Sequence, residues 1–255
     1  MASQPVCGFV KSAEELALVK FSELKTLEGK AIQAIRTEGV FGRLSSLVST
    51  AQQAQIIPGS RVPVNVHLSF TLPTRLREDR GAHAIERAFH VGCLAVPSAN
   101  GDDISQLSYS VLIGQDALPS KSVARKFHFD FEPAAARNVA ESKPTFHLQM
   151  CGELSEHHRG AGYTDGDINH LLPSWSQPRV PAQPMSLALV LNWLFIEFGC
   201  EAPVRNARAN PRWRSIVREA ERSVLKPYYE ACSAFLSLSA NDEESFISKR
   251  IYEEY

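Results

Sequence analysis

Two short stretches carry histidine where acid/base or ligand chemistry can occur: Lys126-Phe127-His128-Phe129-Asp130-Phe131 and Thr145-Phe146-His147-Leu148-Gln149-Met150. Side chains of an extended chain alternate faces, so Phe127, Phe129 and Phe131 point one way while His128 and Asp130 point the other. The second stretch repeats the pattern, with Phe146, Leu148 and Met150 opposed to His147 and Gln149. If the two are neighbouring strands, two imidazoles, a carboxylate and an amide share one sheet face. His67 and His90 can join them from earlier strands. Imidazole titrates near neutrality, so one histidine can serve as general base and another as acid or ligand. His128, Asp130, His147 and Gln149 are therefore the candidate catalytic set. The competing reading is a wetted sheet surface, where histidine serves packing and solubility.

A second group lies in and before a long polar segment: Glu153, Glu156, His157, His158, Asp165, Asp167 and His170. These are metal-ligand types, and His157, His158, Asp165, Asp167 and His170 form the candidate metal set. Their spacing matches neither HExxH nor an EF-hand loop. A glycine-rich loop also preorganises a metal site poorly, so the alternative is a solvated loop that orders on a partner.

The third group is basic. Between Pro203 and Pro227 stand seven basic residues against two acidic ones. Arg214, Arg218 and Arg222 recur every four residues, which lines them along one helix face. Such a stripe can contact phosphates and displace their counterions, and Arg179 can hold a phosphate beside the histidine set. The alternatives are an ordinary charged helix face, or neutralisation in cis by the acidic tail with Asp242, Glu243, Glu244, Glu253 and Glu254.

Several classes lose their usual support. There is no GxxxxGK[ST], no GxGxxG and no GxSxG, which removes the sequence marks of nucleotide hydrolases, dinucleotide enzymes and serine hydrolases. The five cysteines, Cys7, Cys93, Cys151, Cys200 and Cys232, form no CxxC pair. Buried free thiols in a reducing compartment are expected instead. His147 and Cys151 stand four apart on an extended chain, too far for a contacting nucleophile and base. No motif identifies a cofactor.

The elements that must position these groups follow from periodicity. Ser12 and Glu15 have capping-box spacing ahead of an apolar stripe, predicting helices over roughly 12–37 and 41–54. From Val62 to Leu72 the period changes to two, and strands are expected there and at 86–96, 105–114, 123–132 and 145–153. Short connections favour an antiparallel meander. Residues 155–184 read as a long surface loop. Leu187 to Phe198, apolar nearly all round and closed by Gly199, reads as a buried helix against the apolar sheet face. Asn210-Pro211 opens another helix, which Pro227 should end or kink, with a further stretch at about 228–238. The whole is a single α+β domain, an antiparallel sheet of about five strands flanked by N-terminal and C-terminal helices.

With 255 residues, 44% of them hydrophobic, and a net charge of −1, the chain has material for a large core and no global pull toward polyanions or membranes. The N-terminus lacks the pattern of a secretory signal, and the longest apolar run is too short to cross a bilayer. A cytoplasmic protein is expected.

The string Phe127-His128-Phe129-Asp130-Phe131, followed by His147-Leu148-Gln149, Pro178-Arg179-Val180-Pro181 and Pro184-Met185-Ser186-Leu187, resembles a pattern in uncharacterised bacterial proteins. There a strand histidine precedes an Arg-hydrophobic-Pro segment and an apolar helix. The resemblance covers residues 125–198. It implies a bacterial origin and an accessory role beside mobile-element or antiviral defence genes, and it carries no activity with it. The leading expectation is an interaction or regulatory protein that self-associates or meets a protein partner, or a nucleic acid through the 205–226 basic helix. The alternative is a histidine-dependent or metal-assisted hydrolase or nuclease acting on a phosphate-containing substrate.

Overall fold

The alternation predicted from residue 62 onward builds a continuous antiparallel sheet. In the computed structural model, which describes residues 20–36, 62–76, 83–101, 103–116, 122–131, 145–150, 154, 159–160, 162–165, 180–199 and 201–237, five strands follow one another across it. They are β1 (Val64–Thr74), β2 (Ile85–Pro97), β3 (Ile104–Gly114), β4 (Ser122–Phe131) and β5 (Phe146–Met150), each antiparallel to the next. Two pieces of the expected 155–184 surface loop join this sheet. β6 (Thr164–Asp165) runs parallel beside β4, and β7 (Val180–Pro181) pairs antiparallel with the outer edge of β5. A proline on that edge strand offers no backbone donor for further pairing.

One face of the sheet is largely apolar, with Arg87 and Arg125 toward one end of it. Register places Phe70 opposite Phe89, Leu68 opposite Val91 and Val66 opposite Cys93, and the row continues through Val111 and Phe127 or Tyr109 and Phe129. Helices cover this face: α1 (Phe21–Arg36), α2 (Leu187–Glu197), α3 (Ala202–Ala209), α4 (Pro211–Ala220) and α5 (Lys226–Leu236). α2 is capped by Ser186, whose hydroxyl accepts from the Leu189 N–H. Its Trp193 meets Phe127 and Phe129 edge to face with centroids 5.3 and 5.2 Å apart, while Phe195 touches Phe70 on the sheet and Trp213 of α4. Burial on both sides explains why α2 is apolar all round. Each large side chain so buried is worth roughly 1.5–3 kcal/mol. Gly199 lets α3 follow closely, since a Cβ there would collide with Val204 Cγ1 and crowd the Phe195 carbonyl.

Two expectations are corrected here. Residues 202–209 form a helix that the sequence reading did not anticipate. Pro227 does not end the C-terminal helix: a π-helical turn, Glu221–Leu225, interrupts the regular α geometry just before it and joins α4 to α5 directly. A proline in regular α-helix loses a hydrogen bond and drives its ring into the carbonyl four residues earlier. Widening the preceding turn by one residue relieves that clash. The helix predicted over 41–54 and the start of the one over 12–37 lie outside the described residues. Among the described residues, no helix is long and apolar enough to cross a membrane.

Candidate functional site

The four histidine-set residues do share one sheet face, and register makes them a contiguous block. Asp130 lies directly opposite His147, and His128 opposite Gln149. β3 extends both rows, with Ser108 opposite Asp130 and Ser110 opposite His128. The Ser108 hydroxyl donates to Asp130 Oδ1 at 2.5 Å, and Asp130 Oδ2 lies 3.7 Å from His147 Nε2. The carboxylate thus sits between a serine and an imidazole. The upper row continues from Ser110 to Gly92 and then His67 on β1. Gly92 leaves a notch there: a Cβ would come within 2.5 Å of Ser110 Oγ and 3.5 Å of His67 Cε1. His90 stands one row away, its Nδ1 2.9 Å from Ser69 Oγ.

This face grades from open to closed. His67 is exposed, His90 and His128 are half-buried, and His147 retains 1% of its exposure. Asp130 keeps 14%. A separate part of this face, over β2 to β4, is covered from beyond β5. Tyr163, just before β6, lies edge to face on His90 at 5.1 Å, and Leu154 and Tyr163 pack with Leu112 and Val123 into a second small apolar cluster. At the β4–β5 end the low exposure of His147 and Asp130 itself rules out the wetted-surface reading. A buried polar set must be internally partnered, because unmatched groups there cost about 1–3 kcal/mol each. Ser108 meets that requirement for one oxygen of Asp130, while the His147 imidazole at 3.7 Å is a close polar neighbour of the other, beyond hydrogen-bond distance.

A second buried polar set lies on the opposite face and was missed by the sequence reading. Glu28 of α1 is fully buried. Its Oε1 accepts from the Tyr109 hydroxyl at 2.9 Å, and both carboxylate oxygens lie 3.0 Å from the Leu187 N–H that opens α2. One carboxyl therefore ties α1, β3 and the start of α2 together, at the helix end that favours negative charge. Burial raises its pKa to about 7, against the opposing pull of the Leu187 and Tyr109 hydrogen bonds. Burial, together with the nearby Glu28 charge, pushes Tyr109 and Cys93 well above their ordinary values. The signal was in the sequence: Phe21, Leu24, Glu28, Ala31 and Ile35 keep helical spacing, and a carboxylate inside an apolar stripe requires an interior partner. Cys93 and Cys232 are the buried free thiols expected of this chain.

The basic stripe is the reverse case. α4 buries Trp213, Ile216, Val217 and Ala220, and turns Arg214 and Arg218 outward, with Arg222 following in the π turn. Asn210 caps the helix by accepting from the Arg212 N–H, and Pro211 occupies its first turn, as Asn210-Pro211 predicts. Pro211, Arg214, Ser215, Arg218, Glu219, Arg222 and Ser223 line an open groove of about 580 Å³. Glu219 is paired with Lys30 of α1. Among the described residues no carboxylate pairs with Arg214, Arg218 or Arg222. By contrast, Lys226 is matched four residues on by Glu230, at 3.6 Å.

Among the described residues no group of three His, Cys, Asp or Glu side chains is arranged to hold a metal ion. Of the candidate metal set, Asp165 forms part of β6, and His157, His158, Asp167 and His170 lie outside the described residues, as does Arg179. No protein-family model matches the chain, nor does any curated protein or solved structure. The functional reading rests on the residues themselves.

Proposed function

We propose that this is a cytosolic interaction protein whose contact surface is the groove along α4, and that its partner is anionic. The observation that carries this reading is the row of three exposed arginines that have no carboxylate partner among the described residues. Like charges spaced four apart repel and cost a helix about 0.2–0.5 kcal/mol per pair. An ordinary solvated face alternates signs, as Lys226 and Glu230 do. A helix that keeps Arg214, Arg218 and Arg222 unmatched carries a local cost that a bound anion would reverse. The histidine-dependent hydrolase reading has the polar row of Ser108, Asp130 and His147 in its favour. It also needs a substrate to reach an imidazole that is closed to solvent, so the cover would have to move first.

Retention on a sulfated polysaccharide matrix at pH 7.5 tests the proposal. A chain of net charge −1 has no global reason to bind such a matrix. Retention that is lost when Arg214, Arg218 and Arg222 are changed to glutamine is the expected result. Elution of the wild-type protein in the void volume at low salt would sink the proposal.

A further inference from the structure

We infer that the α4 groove takes the sugar–phosphate backbone of a nucleic acid, contacted through consecutive phosphates and without base reading. This rests on the groove being the contact surface proposed above. The lining decides the class of partner. Apart from Pro211, every residue of the groove is charged or carries a hydroxyl: Arg214, Ser215, Arg218, Glu219, Arg222 and Ser223. An amphipathic peptide is held by apolar anchors in desolvated pockets, and an unpaired base by an aromatic platform; an acidic peptide shares the arginine chemistry and is set apart by the polyglutamate arm of the test. The groove offers neither anchor nor platform. It offers guanidinium forks, which match phosphate oxygens, and hydroxyls, which are common phosphate donors.

The spacing agrees. Successive arginines are separated by about 6 Å along the helix, so the row from Arg214 to Arg222 spans about 12 Å. One strand of a duplex presents three or four phosphates over that length. Among the described residues the groove has one carboxylate, Glu219, and it is bound to Lys30 from α1. Lys30 therefore acts as a positioning residue, holding Glu219 and offsetting its charge beside the arginines.

The test is fluorescence anisotropy of a labelled duplex of about 20 base pairs against the full chain, repeated with a scrambled duplex and with a single strand of equal length. Three phosphate contacts predict a log–log salt slope near −2.7 for the duplex, so affinity should fall about 40-fold between 50 and 200 mM salt. Scrambling the sequence should change nothing. Changing Arg214, Arg218 and Arg222 together to glutamine should weaken binding at least tenfold and flatten the slope. Glu219→Gln should tighten binding a few-fold, and Lys30→Met should weaken it in the wild-type background but much less in the Glu219→Gln background. Failure to bind either nucleic acid, with Arg-dependent binding of polyglutamate, would overturn the nucleic-acid inference and leave the anionic groove standing. Binding of no polyanion, or equal binding by the triple variant, would overturn both.

Discussion

Polar groups inside this molecule and polar groups on its helical surface follow opposite rules. In the sheet, Asp130 is held between Ser108 and His147, and on the other face Glu28 is held between Tyr109 and the start of α2. Every one of these groups meets a complementary neighbour and little water. Along the groove of α4 and the π turn, three arginines face water beside one another, and the one carboxylate among the described lining residues is engaged elsewhere. Matched and buried groups are what stability requires. Unmatched and exposed groups of one sign do nothing for stability, which is why the arginines, and not the histidines, carry the functional proposal.

This contrast predicts where substitutions act. The largest effect should come from His147→Ala, which removes an interior partner of Asp130 and leaves a cavity. The expected loss is about 3–4 kcal/mol in urea unfolding, with polyanion binding intact in the folded fraction. A loss below about 0.5 kcal/mol would instead mark the histidine row as dispensable to the fold, and would revive its reading as a site.

Glu28 sharpens the contrast through pH. Its pKa of about 7 lies above the ordinary 4.5, so the folded chain holds this proton more tightly than the unfolded chain. The stability it contributes is complete below pH 4.5, declines as pH rises through 7, and is absent above. The shift corresponds to about 3 kcal/mol. Glu28→Gln keeps an oxygen acceptor and removes the titration, so that decline should disappear from its stability profile. An unchanged profile would mean that Glu28 is not the buried acid described.

A smaller effect is expected at Gly92, where an added methyl must displace the Ser110 hydroxyl. Gly92→Ala should destabilise by about 1–2 kcal/mol, the range of mild overpacking, and Ser110→Ala in the same chain should restore most of it. Additive losses in the double variant would place the strain elsewhere. The smallest stability change should belong to Arg218→Glu, and it should be a gain. Glutamate at 218 would stand four residues from both Arg214 and Arg222, adding a few tenths of a kcal/mol to the helix while weakening anion binding. A thermal scan and a retention assay on the same sample read both signs.

What could be read from the sequence divides along similar lines. The five main strands, the faces of β4 and β5, the buried α2 and the start of α4 were all legible, because each is written in local periodicity or a cap. Val64 to Thr74 alternates over its length, and Asn210-Pro211 marks a helix start by itself. β6 and β7 are two-residue pairings created by distant neighbours, so no local pattern announces them. α3 has only Val204 and Ala207 on its buried side, too few to show a period. Pro227 does not end the helix, one of its two expected effects, because that penalty assumes a regular α-helix and the π turn before it removes that assumption. The shared face of the four site residues was legible, but the near-complete burial of His147 was not, because alternation gives the face a side chain takes and not what packs over it. The arginine stripe was visible as spacing. That it is unmatched could be known only once Lys30 was seen to engage Glu219 from another helix.

The most direct test sets two variants against two readouts: His147→Ala and the triple change of Arg214, Arg218 and Arg222 to glutamine, each measured for unfolding free energy and for duplex affinity at 50 mM salt. The account predicts a crossed result, in which the histidine variant loses stability and keeps affinity while the arginine variant keeps stability and loses affinity. An arginine variant that binds like wild type, beside a folded histidine variant that does not bind, would contradict it.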